Sequence, residues 1–251
     1  MHRYFLELAY KGTNYSGFQV QQNANTIQAE VEKAFFVLLG RPVQLTGSSR
    51  TDTGVHALQN FFHFDTDINI PQKSIYNLNA ILPADIAAKN IYPVSNESHC
   101  RFNALSRQYK YFIYKKKDPF LQQTAYYFPY KLNMEMLQQA AQLLMANTDF
   151  TSFSKRSTQV KNFNCSITHS AWLVQDDCLV YDVTGNRFLR GMVRGLVGTM
   201  LKAARGLLTM EQLTQIVLAR NSQYADFSAS AQGLFLVKVN YPEGILLPVE
   251  P

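Results

Sequence analysis

The segment Gly47-Ser-Ser-Arg-Thr-Asp-Thr-Gly-Val-His-Ala57 concentrates chemistry in a few residues. Asp52 stands two residues after Arg50 and two before Gly54, and its other neighbours are small. Gly, Ser and Thr let a backbone turn sharply and let a ligand come close, so a carboxylate here projects from the end of a strand with room around it. A carboxylate so placed can act as nucleophile, general base or electrostatic partner. The plainer alternative is an Asx-type turn in which Asp52 bonds only its own backbone, but that leaves the neighbouring arginine without a role.

Other chemistries are excluded by spacing. No Gly-Lys-Ser/Thr follows the loop, so it is not a phosphate cradle of the Walker type, and it is not a G-x-S-x-G elbow. His56 and His63 are separated by a loop and a strand, with no H-E-x-x-H or C-x-x-C partner, and packing or hydrogen bonding is the expected fate of each. His99 beside Cys100 gives no nucleophilic pair without a third partner.

The elements that must position Asp52 follow from periodicity. Residues 4 to 10 alternate as a strand, with Leu6, Leu8 and Tyr10 on one face and Glu7 on the other. Asn25 and Gln28 open a helix carried by Ile27, Val31, Ala34, Phe35 and Leu38, and Gly40 closes it. Pro42 to Thr46 and Asn60 to Phe64 read as strands flanking the Asp52 loop. A helix ending before Pro83 and a strand from Ile86 to Pro93 follow.

In the second half, Asn133 caps a helix over Met134 to Met145, and Ile167 to Val174 with Leu179 to Thr184 make a hairpin across Asp176-Asp177. Met192 to Ala204 and the segment opened by Thr209 and Gln212 are helices, and Leu234 to Tyr241 is a terminal strand. This order is not strict βαβα alternation, so the class is α+β. The expected organisation is two related halves, 1–105 and 106–251, on a continuous, mostly antiparallel sheet flanked by helices.

The 251 residues carry 24 Lys+Arg against 18 Asp+Glu, a net charge of +6, with 14 Tyr and 17 Phe. Ser106 to Lys117 and Arg187 to Arg194 interleave cations with aromatic and apolar groups, the surface chemistry that meets phosphates and unstacked bases. Three cysteines without C-x-x-C spacing support neither a disulfide framework nor a structural zinc site, and a reducing, cytoplasmic setting is expected. The apolar stretch Gly195 to Leu201 falls far short of a membrane span.

Gly47-x-x-Arg-Thr-Asp-x-Gly-Val-His-Ala57, with Tyr10-Lys-Gly-Thr-Asn-Tyr-Ser-Gly-Phe-Gln19, resembles the TruA family of tRNA pseudouridine synthases. His99 to Ala104, Ser106 to Tyr114, Asp149 to Phe153, Arg187 to Gly198 and Gly233 to Val239 resemble its later motifs in the same order. The resemblance implies the pseudouridine synthase fold, tRNA as substrate, a homodimer, no cofactor and no metal. It also implies isomerisation of uridine at positions 38, 39 and 40 of the anticodon stem-loop.

Carried over by position, Asp52 matches the catalytic aspartate, Tyr109 the active-site tyrosine, Arg194 the aspartate's partner and Arg50 the base-displacing arginine. Arg190 and the cations Lys110, Lys115 to Lys117 and Arg187 would meet the phosphates; Arg101 has the same use or makes a structural ion pair, and Leu234 forms part of an apolar wall for uracil or simply packs in the core. Ser49 stands where the family usually has glycine, and Phe18 where tryptophan is usual. The residues leave open whether the carboxylate attacks the base, attacks the sugar or removes a sugar proton. Read without the resemblance, the same cations and aromatics also fit a non-catalytic RNA-binding protein or chaperone. A hydrolase of N-glycosidic bonds would want a second acid, which is not found nearby.

Overall fold

The computed structural model describes residues 1–155 and 160–246. They fall into two compact units, one holding Met1–Leu105 and the chain from Leu236 onward, the other Ser106–Phe235. Among the described residues, nine strands and five α-helices establish the α+β class. The last strand begins in the second unit and ends in the first, so residues from Leu236 onward do not stay with the half that the sequence assigned to them. The final five residues of that expected half lie outside the described residues.

In the first unit, β1 (His2–Tyr10) lies between β3 (His56–Thr66) and β4 (Ile86–Val94), antiparallel to both. The short β2 (Thr46–Gly47) pairs with β3. The strand expected from Pro42 thus shrinks to its last residue plus Gly47. Tyr4 to Leu8 are buried without interruption, so β1 is covered on both faces rather than on one. Glu7, on the face opposite Leu6 and Leu8, is buried and accepts hydrogen bonds from Gln59 Nε2 and the Tyr92 hydroxyl, both at 2.9 Å. Those donors satisfy the carboxylate where water cannot. Burial, and then the Glu7 partner, push the Tyr92 phenol up to about 12.

Helix α1 (Ile27–Leu39) is capped by Thr26, whose side chain accepts from Ala29 N, not by Asn25 one residue earlier. Gly40 ends it at φ 69°, a conformation that glycine adopts without steric cost. Its buried face of Ile27, Val31, Ala34 and Phe35 includes a ring contact between Phe35 and Phe64 of β3, with centroids 4.8 Å apart. Helix α2 (Ser74–Ile81) stops just before Leu82 and Pro83, as the proline requires.

In the second unit, β8 (Cys178–Gly185) lies between β5 (Ser106–Tyr114) and β7 (Ile167–Gln175), antiparallel to both, and β6 (Tyr126–Tyr127) joins β5 in parallel. Asp176 and Asp177 turn the β7–β8 hairpin with φ of 48° and 61°, the pair of positive values that a tight two-residue turn demands. Helices α3 (Met134–Met145), α4 (Met192–Ala204) and α5 (Met210–Leu218) complete the unit. Asn133 caps α3, and Thr209 with Gln212 forms a full capping box on α5. The strand β9 (Leu234–Asn240) follows.

Candidate active site

The loop bearing Asp52 is fixed from several sides within the first unit. Ser48 N donates to Phe61 O at 2.8 Å, and Asn60 Nδ2 donates to Ser49 O at 2.8 Å. The Tyr10 hydroxyl lies 2.8 Å from Thr51 Oγ1 and accepts from Asn60 Nδ2 at 3.2 Å, so one buried network ties β1, β3 and the loop together. Phe18 N donates to Thr51 O at 3.1 Å, and Val55 N closes the turn onto Asp52 O at 3.1 Å. Thr51 is buried while Asp52 is only partly so, which leaves the carboxylate at the surface of a locked backbone.

The N-terminal glycines make that locking sterically possible. A Cβ on Gly12 would fall 2.0 Å from Val55 O. Gly17 sits at φ 101°, and a Cβ there would lie 3.1 Å from Thr51 O. The segment therefore lies directly against the loop backbone, where only glycine fits. Phe18, the substitute for tryptophan, stacks on Phe62 at 4.6 Å with an interplanar angle of 17°. Gly12 N donates to His56 Nδ1 at 3.1 Å, so buried His56 serves the same brace. The Ser49 hydroxyl is buried and has no hydrogen-bond partner among the described residues.

Arg50 is exposed at the rim of the loop, and no hydrogen bond or ion pair engages its side chain among the described residues. Arg101 is also exposed, with its guanidinium carbon 5.7 Å from the centroid of the Phe102 ring.

The remaining expected site residues belong to the second unit. Tyr109 on β5 is buried and meets Phe188 edge-on, with centroids 5.0 Å apart and planes at 76°. Arg194 lies in the first turn of α4 and is partly exposed. Its Nε donates to Ala229 O at 2.7 Å and its Nη2 to Phe227 O at 3.4 Å, so the guanidinium plane is oriented by two backbone carbonyls. The carbonyls stay in place because α4 presents glycine to them: a Cβ on Gly195 would meet Phe227 Cε1 at 2.8 Å, and one on Gly198 would meet Asp226 O at 2.2 Å. Tyr111 adds a third hold, donating its hydroxyl to Ser230 O at 2.6 Å, and burial raises this phenol far above its ordinary range.

Arg190 is exposed just before α4, its carbonyl receiving Lys155 N at 3.0 Å. Leu234 is buried at the start of β9. Lys115, Lys116 and Lys117 are exposed as a phosphate-facing role requires, and Arg187 is partly exposed. Lys110 departs from that expectation. Its Nζ lies 3.3 Å from Gln175 Oε1 and 4.0 Å from Asp182, so it is engaged on its own sheet.

Sequence reasoning did not single out Tyr10 or Asn60 as supports of the loop, although Tyr10 opens the motif that holds it. It also passed over the carbonyls of Phe227 and Ala229, for which backbone groups leave no letter to read. His63, His99 and Cys100, judged separately, prove to be neighbours.

A family model described as tRNA pseudouridine synthase matches residues 8–103 and 140–242. The chain is 43% identical over 252 aligned positions, covering all of both chains, to tRNA pseudouridine synthase A of Parabacteroides distasonis. It is 40% identical to the protein of that name from Porphyromonas gingivalis, covering 98% of this chain and all of the relative. For Staphylococcus aureus tRNA pseudouridine synthase A the identity is 37%, over 98% of this chain and 94% of the relative. Matches of this length and identity, with the motif loops where the fold holds them, mean that the chain belongs to the TruA family of tRNA pseudouridine synthases.

Proposed function

We propose that this isomerase converts uridine to pseudouridine in the anticodon stem-loop of tRNA, at positions 38, 39 and 40, with Asp52 as the nucleophile. The observation that carries the reading is the Asp52 loop itself, whose backbone is locked from β1, β3 and the 12–18 segment while its carboxylate remains partly exposed. Rigid presentation of one reactive group is what covalent catalysis on a captured base needs.

The reaction is a rearrangement without net gain or loss. The bond from N1 to C1′ breaks, the uracil turns while held, C5 bonds to C1′, the C5 proton leaves and N1 ends protonated. No cofactor is required for that balance. A base stacked in an A-form stem is out of reach, and extruding it costs a few kcal/mol, on the order of the stacking and pairing lost. Arg50, exposed beside the carboxylate, fills the space that the base vacates. Tyr109 lies against the everted ring and assists loss of the C5 proton. Arg194, its plane set by the carbonyls of Ala229 and Phe227, is the arginine that the family pattern assigns as the aspartate's partner. Leu234 forms part of the apolar wall for uracil. Arg101 and Arg190 hold phosphates, which positions the stem without specifying its sequence.

No helix among the described residues is long and apolar enough to cross a membrane. The enzyme works in the cytoplasm as a homodimer, two copies gripping one L-shaped tRNA.

The decisive experiment compares wild type with Asp52→Asn on unmodified tRNA. Carbodiimide mapping should show pseudouridine falling by on the order of 10⁴-fold or more, with tRNA affinity retained. Undiminished product from the variant would remove Asp52 from the chemistry.

A further inference from the structure

His63 on β3 and the adjacent pair His99 and Cys100 are distant in sequence, yet in the first unit one ligand atom from each lies within 4.8 Å of the others. Cys100 Sγ is 3.2 Å from His63 Nδ1 and 3.1 Å from Thr46 O, and the His63 and His99 rings meet at 4.4 Å between centroids. Cys100 is fully buried and His63 nearly so, while His99 is partly open to solvent. The cluster therefore has a closed floor and one accessible side.

Two imidazoles and a thiolate are the donor set of a borderline-soft d-block cation, and oxygen-seeking ions such as Mg²⁺ or Ca²⁺ would find nothing here to prefer. Bond lengths of about 2.0–2.3 Å around zinc place its ligands roughly 3.3–3.7 Å apart. The His63 and Cys100 pair already stands near that separation, and only His99, on the open side, has to close. Ligation would exchange its hydrogen bond from Arg101 N, now 3.1 Å, for a coordinate bond. The positive charge of Arg3, which acts on both imidazoles, is compensated beforehand: Arg3 makes two 2.7 Å hydrogen bonds to Asp65 and a third, at 3.0 Å, to Ser98 O.

We propose that His63, His99 and Cys100 bind one divalent cation of the zinc class, with a water molecule as fourth ligand on the His99 side. Binding exchanges the thiol proton of Cys100, released to solvent, for the metal–sulfur bond, with no change of oxidation state. The ion would clip the turn carrying Arg101 onto β3. It takes no part in the isomerisation, and the inference stands apart from the roles proposed above.

Cobalt titration of the full-length, metal-stripped and reduced chain tests the site. One equivalent of Co²⁺ should give a thiolate-to-cobalt charge-transfer band in the near ultraviolet with tetrahedral visible bands, and both should vanish as Zn²⁺ displaces it. Cys100→Ala should lose the near-ultraviolet band. His99→Ala, at a partly open position that circular dichroism can show to be folded, should bind about tenfold more weakly or worse. Absence of the charge-transfer band in the wild type, or equal affinity in His99→Ala, would overturn the site.

Discussion

The hydroxyl of Ser49 is buried three residues from the proposed nucleophile with nothing to bond to among the described residues, and a polar atom in that condition costs about 1–3 kcal/mol. Ser49→Ala removes the stranded group without adding volume. The variant should be more stable by about 1 kcal/mol, a rise of roughly 2–4 °C in melting temperature for a chain of this size. A lower melting temperature would mean that the hydroxyl has a partner in solution, such as an ordered water. Gly12 and Gly17 are the converse case, since a side chain at Gly12 would collide with the loop it supports and one at Gly17 would be strained by its φ of 101°. At this scale the sequence was most legible where a residue type has one physical use. Small residues around a carboxylate pointed to the loop before its fold was in view, whereas the bracing by Gly12 and Gly17 shows only in the fold.

At the scale of elements, the second unit depends on α4 being held to the segment 226–230, because that segment orients Arg194. Asp226 is part of the clasp: it accepts from Ser228 N at 2.8 Å and pairs with Lys202 at 3.2 Å, and its own N donates to Thr199 Oγ1 at 3.0 Å. Desolvation acts to raise this carboxyl, but hydrogen bonds from Ser228 and Lys202 outweigh it and hold the group below its ordinary range. A carboxyl depressed in the folded state gives stability that is complete above its unfolded pKa, about 4, and is lost as pH falls through the lower folded value. Wild type should therefore lose more stability to urea between pH 6 and pH 3 than Asp226→Asn does. Parallel losses in the two proteins would remove Asp226 from the clasp.

Elements with strong local signals were readable from the chain: α3 and α5 through their caps, the β7–β8 hairpin through Asp176-Asp177. The errors came where tertiary packing decides. Thr26 and Asn25 are both good caps, and only the position of α1 against β3 chooses between them. The burial of Glu7 could not be read from its own strand because its partners, Gln59 and Tyr92, lie on neighbouring strands. The cluster of His63 with His99 and Cys100 was invisible for the same reason, since strand pairing and not spacing assembles it.

For the whole molecule, a net charge of +6 and exposed runs such as Lys115 to Lys117 predict that tRNA affinity is governed by release of counterions. The logarithm of the binding constant should fall with the logarithm of salt concentration at a slope of roughly −3 or steeper. Exchanging Lys115, Lys116 and Lys117 together for Gln should reduce the slope by about 1–3 and leave the melting temperature unchanged. An unaltered slope would place those lysines away from the RNA.

The route of β9 bears on how the protein comes into being. Val239 N donates to Gln59 Oε1 at 3.0 Å, Leu105 N to Asn240 O at 2.8 Å, and the Tyr241 hydroxyl to Ser48 Oγ at 3.2 Å and Cys100 O at 2.5 Å. All these acceptors and donors between residues 48 and 105 wait for residues made more than a hundred positions later. A nascent polypeptide from which residues 239 to 241 have yet to emerge consequently carries its aspartate on an unfinished scaffold, and loss of those residues would leave incomplete the very portion that was made first.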